Sequence, residues 1–77
     1  MKNSNRMSAR FVARERGEKT GDVYKTWSDM GVVSLNGNGS ASLTEYGKEV
    51  GGKLSPNGTP TFELNDISEL MDAFRGG

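Results

Sequence analysis

The chain has 77 residues, 32% of them hydrophobic, with 11 glycines, and its 10 Lys/Arg balance its 10 Asp/Glu. That length limits it to one domain with a thin core, which a partner subunit can complete; the absence of Cys and His excludes disulfides, thiol nucleophiles, imidazole acid–base chemistry and the usual zinc sites. The neutral total hides a split: residues 1–25 carry seven Lys/Arg against three Asp/Glu, net +4, whereas residues 26–77 carry three against seven, net −4.

In chain order, residues 1–7 are polar and read as a flexible arm, and residues 8–77 as one domain. The arm has no apolar core of a leader peptide, and no run approaches the ~18 apolar residues that cross a bilayer, so the expectation is a cytoplasmic protein. The first helix starts at Ser8 as N-cap, carries Phe11, Val12 and Ala13, and stops at Gly17. A second helix, capped by Thr20 or Asp22, places Val23, Trp27 and Met30 on one face at i, i+4 and i+7 and closes at Gly31. These residues are expected to pack on the first helix.

Val33 and Leu35 then alternate, as do Ala41 and Leu43, with Asn-Gly twice between them. Asn-Gly marks a hairpin. Keeping the apolar residues on one face pairs Leu35 with Ala41, Val33 with Leu43 and Asn36 with Ser40, which leaves Gly37-Asn38-Gly39 as a three-residue loop. Neither Asn-Gly then acts as a two-residue turn, and Gly39 supplies the left-handed residue that such a loop wants. A short helix follows, with Thr44 as N-cap and Tyr46 and Val50 on one side. Pro56-Asn57-Gly58 signals a type I or II turn, and Phe62 and Leu64 alternate as in a strand that Pro60 assigns to an edge. The last helix, capped by Asn65 or Asp66, carries Ile67, Leu70, Met71 and Phe74 at i, i+3, i+4 and i+7 and ends at Gly76-Gly77. That stripe reads as core and, secondarily, as a partner or dimer surface.

The order is helix, glycine turn, helix, hairpin, short helix, strand, helix. It predicts an α+β winged helix-turn-helix, mainly helical, with a β-hairpin wing and a C-terminal amphipathic helix. Ala13, four before Gly17, and Val23, six after it, match the helix-turn-helix pattern, in which the Ala admits the crossing helix and the Val packs back between the two. Arg16 and Glu18 depart from it by flanking Gly17 with charge. The segment from Val23 to Val50 resembles the recognition helix, wing and following helix of bacterial winged-helix regulators of the PadR and MarR type. The matching residues are Val23, Tyr24, Gly31, Val32, Val33, Leu43, Thr44, Gly47 and Lys48, with Trp27 in place of the usual leucine. The tail from Leu43 onward resembles C-terminal modules of small phage and mobile-element proteins, including antirepressors.

These readings lead to the expectation of a sequence-specific DNA-binding protein, a transcriptional or recombination regulator of a phage or mobile element. The second helix would enter the major groove. Lys19 and Lys25 would contact phosphate or guanine, Thr20 and Tyr24 phosphate, with Asp22 and Thr26 on the same helix. Asn36 and Asn38 at the hairpin tip would touch the backbone, and Arg6 and Arg10 would steer the basic arm onto phosphates. Specific recognition would favour a homodimer. The alternative is a small phage protein that binds a host protein, as antirepressor or inhibitor. Its contact surface would be the acidic Glu63, Asp66, Glu69 and Asp72 with the stripe Ile67, Leu70, Met71 and Phe74. No spacing of Ser, Asp, Glu or Lys forms a catalytic triad or a carboxylate pair. Gly-Asn-Gly and Gly-Gly lack the context of a phosphate loop. The sequence therefore predicts no enzyme, no cofactor and no metal.

Overall fold

A computed structural model describes residues 6–37 and 40–76. Its order is β1 (Arg6–Met7), α1 (Ala9–Arg16), α2 (Thr20–Met30), β2 (Val33–Leu35), β3 (Ala41–Leu43), α3 (Glu45–Glu49), β4 (Lys53–Leu54), β5 (Pro60–Glu63) and α4 (Leu64–Phe74). The domain is α+β, with two small antiparallel sheets ordered β1-β5-β4 and β2-β3. No helix among the described residues is long and apolar enough to cross a membrane.

Helices α1 and α2 form where expected. Ser8 is the N-cap of α1 by backbone, but its side chain makes no capping bond. Gly17 ends α1 at φ 70°, and the Glu18 amide reaches back to Ala13 O at 2.8 Å. This left-handed exit ties off the last carbonyls of α1 and turns the chain within three residues into α2, whose N-cap is Lys19 rather than Thr20 or Asp22. Gly31 ends α2 in the same manner and sends Val32, fully buried, into the core.

The hairpin β2-β3 has the expected register: Val33 opposite Leu43, Ser34 opposite Ser42, Leu35 opposite Ala41. The Asn36 amide bonds to Ser40 O at 2.8 Å. Asn38 and Gly39, two of the three loop residues, lie outside the described residues. The connection between β4 and β5 repeats this plan. The Ser55 amide bonds to Thr59 O and the Gly58 amide to Ser55 O, both at 2.8 Å. Gly58 has φ 84° and Asn57 has negative φ, so Pro56-Asn57 is a type I turn, not type II.

Several expectations are corrected here. Arg6 and Met7, assigned to the arm, form β1 and pair with Glu63 and Phe62; residues 1–5 lie outside the described residues. Two residues cannot display a strand periodicity, and their partner is distant in sequence. β5 is the middle strand of its sheet, not an edge. Pro60 is tolerated because β1 pairs only with Phe62 and Glu63, so at Pro60 the strand has β4 as its neighbour and no ladder partner on the β1 side. Leu64 opens α4 instead of continuing the strand. The cap is Glu63, whose carboxylate accepts from the Asp66 amide at 3.3 Å.

The core joins Val12 and Ala13 of α1, Val23 and Trp27 of α2, Val32 and Val33 after it, Phe62 of β5, and Ile67 and Met71 of α4. Trp27 stands at its centre. Its ring meets Phe62 edge-on at 4.8 Å and Tyr24 at 6.1 Å, and its Nε1–H donates to Met71 Sδ at 3.3 Å. Met30 is half-buried against this cluster. The α4 stripe therefore divides: Ile67 and Met71 are fully buried, Leu70 is half-buried and Phe74 is exposed. Ile67 and Met71 are thus core residues closed to any partner, which corrects their assignment to a partner or dimer surface. They sit four apart and face Trp27's side of the helix, while Leu70 and Phe74 lie on the flank.

Candidate nucleic-acid interface

The turn between α1 and α2 is locked to the C-terminal helix by ions. Glu18 accepts a two-pronged bond from Arg75, with Nη1 at 2.9 Å and Nη2 at 2.8 Å. Arg16 bridges Glu18 (Nε to Oε2, 2.8 Å) and Asp72 (Nη2 to Oδ1, 2.8 Å). Arg75 also donates to Thr26 Oγ1 at 2.8 Å. The Glu18 side chain is 18% exposed and that of Arg75 36%, so water screens the pair in part. The bonds from Arg75, and then those from Arg16, lower the Glu18 carboxyl from 4.5 to about 2 against the opposing effect of burial. Arg16 and Arg75 are correspondingly held more firmly in their charged form. The two charges that break the helix-turn-helix pattern around Gly17 therefore have a purpose: they reach α4 instead of the α1–α2 seam.

A carboxyl made more acidic by folding stabilises the fold above its unfolded value and loses that contribution as protons are added. Stability from Glu18 is full above pH ~4.5 and fades as pH falls towards about 2. Replacing Glu18 by Gln is expected to cost about 2 kcal/mol at neutral pH. It should also flatten the acid limb in that window, as read from urea midpoints against pH; an unchanged acid limb would show that the clamp does not hold in solution.

Around this clamp the candidate DNA-contact residues separate into three groups. Arg10 on α1, and Lys19, Asp22 and Lys25 on α2, are exposed. Lys25 reaches only Asp29, one turn on, at 3.8 Å, an exposed pair of little strength. Asn36 is exposed near the hairpin tip, although its amide is held by Ser40 Oγ at 2.9 Å and Ser42 Oγ at 3.4 Å. Thr20 and Tyr24 are half-buried, Tyr24 with its ring against Trp27. Two residues are corrected. Thr26 is buried and bonded to Arg75, so it faces the interior of α2's surroundings and not a groove. Arg6 is drawn in by the backbone carbonyls of Gly51 and Thr61; it belongs to the sheet and not to a free arm. Asn38 lies outside the described residues. Arg14, not singled out in the sequence, is exposed on α1 with Arg10.

No family model, curated protein or solved structure matches this chain. Among the described residues, Arg10, Arg14 and Lys19 make no ion pair, while Arg16 and Arg75 are bound in the clamp. These three cations lie on α1 and at the start of α2, with the exposed acids Glu15 and Asp22 among them; Lys53 of β4 is a further exposed cation without an ion pair. The acidic residues Asp66 and Glu69 border a different feature, a groove of about 430 Å3 floored by Val50, Leu70 and Ala73.

Proposed function

We propose that this domain binds double-stranded DNA as a small winged helix-turn-helix, acting as a transcriptional or recombination regulator of a phage or mobile element. The observation that carries this reading is the set of exposed cations: Arg10 and Arg14 on α1, Lys19 at the N-cap of α2, and Lys25 on α2, with a three-residue turn between the helices. Ala13 and Val23 are buried beneath them, as a close helix crossing needs. In this reading the N-terminal half of α2 enters the major groove, and the hairpin, which leaves α2 directly through Gly31 and Val32, lies along the flanking backbone. Its tip offers Asn36 in place of a cation.

The test is binding of the full chain to a random duplex at several salt concentrations, read by fluorescence anisotropy. The double variant K19A/K25A should weaken binding about tenfold and reduce the slope of log K against log salt by about two. Unchanged affinity and slope would overturn the proposal.

One observation favours a second reading. The groove of Val50, Leu70 and Ala73 is apolar and rimmed by Asp66 and Glu69, with Phe74 half exposed nearby. It suits a basic amphipathic segment of a host protein, as an antirepressor or inhibitor would bind. Duplex binding that is absent at all salt concentrations would leave this reading in place.

A further inference from the structure

A second cleft, of about 270 Å3, lies on the three-stranded sheet, away from the clamp residues. Arg6 of β1, Ser8 before α1 and Phe11 of α1 line one wall; Ser55, Asn57 and Thr59 of the β4–β5 turn line the other. Thr61 of β5 completes it. Long-range pairing creates this juxtaposition: β5 takes β1 on one side and β4 on the other, so residues near 6 and near 57 meet.

The chemistry of the lining is one-sided. Arg6 is the cation, and no acidic residue lines the cleft among the described residues. Its guanidinium is fixed by Nη2 bonds to the Gly51 and Thr61 carbonyls, and its buried Nε has no hydrogen-bond partner. The hydrogen bonds of this guanidinium go to neutral carbonyls, and Glu63, opposite Arg6 in the β1–β5 ladder, forms no ion pair with it. Ser55 Oγ accepts from the Asn57 amide at 3.3 Å and the Thr59 amide at 3.1 Å, so its own proton is left for another acceptor. Ser8 Oγ makes no capping bond. A fixed guanidinium ringed by hydroxyl donors selects an anion with several acceptor oxygens. The cleft, of about 270 Å3, is open to solvent beside such an anion. Phe11, 52% exposed on the rim, presents an apolar ring to whatever follows.

We propose that this cleft binds the phosphate of a nucleotide, with Arg6 and the Ser8 and Ser55 hydroxyls on the phosphate and the base stacked on Phe11. The site uses none of the α2 residues and stands whether or not α2 enters a groove. The nucleotide is either free or part of a nucleic-acid strand.

The test uses the full chain and backbone amide NMR shifts, with four probes: inorganic phosphate, AMP, and a dT6 strand with and without a 5′-phosphate. AMP should shift the amides of Ser8, Ser55 and Thr59 saturably, with phosphate weaker at the same amides. Phe11→Ala should weaken AMP about tenfold, a base-stacking loss, and leave inorganic phosphate unchanged. Arg6→Gln should abolish both; because Arg6 also holds the sheet, Ser8→Ala serves as a milder variant and should weaken both. Tighter binding of the phosphorylated strand than of AMP would assign the site to a strand end, equal binding of both strands to a backbone phosphate, and binding of AMP alone to a free nucleotide. Failure of every probe to shift the cleft amides, or AMP binding indifferent to Phe11→Ala and Ser8→Ala, would overturn the proposal.

Discussion

Replacing Trp27 by Ala is expected to remove about 3–5 kcal/mol of stability. Trp27 is fully buried and carries contacts from α2 to both β5 and α4. A chain of 77 residues has a total of about 4–12 kcal/mol, so this loss is a large part of its stability and the urea midpoint should fall sharply. Far-UV circular dichroism in urea is the measurement, since the variant loses the chain's single Trp as a fluorophore. Trp27→Phe keeps an aromatic ring beside Phe62 but leaves a void and removes the Nε1–H contact to Met71, and should cost about half as much. A Trp27→Ala chain that still unfolds cooperatively at the wild-type midpoint would show that the core is not built around this residue.

Gly47→Ala is the second large effect, at about 3 kcal/mol. A Cβ at Gly47 would stand 2.2 Å from the Val32 carbonyl oxygen and 2.8 Å from Leu43 Cδ1. The carbonyl cannot step aside, because it already accepts the Thr44 amide at 3.2 Å. Thr44 fixes the same corner. Its hydroxyl donates to the Gly31 carbonyl at 2.6 Å and accepts from the Gly47 amide at 2.9 Å. The Leu-Thr-x-x-Gly run therefore joins the end of α2 to the start of α3, and its Gly is needed for space rather than for backbone angle. Gly21→Ala is the contrast. Gly21 lies in α2 with nothing within 4 Å of a new Cβ, so it should gain about 0.5 kcal/mol through a stiffer unfolded chain. Thermal unfolding of the two variants should move in opposite directions; a melting temperature unchanged by Gly47→Ala would contradict the packing of α3 on Val32.

The hairpin register was readable because a period-two pattern admits one pairing that keeps Val33, Leu35, Ala41 and Leu43 together. The α1–α2 turn and the end of α2 were readable because Gly17 and Gly31 are local stop signals whose geometry depends on neighbouring carbonyls alone. The candidate site was less readable. Exposure of Lys25 follows from the helix period, since Val23 and Trp27 define the opposite face; Lys19, four residues before Val23, is exposed at the N-cap of α2. Thr26, one residue before Trp27, is covered only because Arg75 arrives from the far end of the chain. Arg6 carried the composition of a basic arm, yet its fate depends on a carbonyl 45 residues away.

The sequence by itself determined the helices, their glycine stops, the three-residue hairpin loop and the division into a basic and an acidic half. Each is set by contacts within a few residues or by a repeating face. Only the tertiary structure decided that β5 is a central strand, that Ile67 and Met71 are core while Leu70 and Phe74 are not, and that Arg16, Glu18, Asp72 and Arg75 cancel one another. Strands of two residues and ion pairs across 57 positions leave no periodic trace. Their free energy is realised only when the remote partner is brought into place.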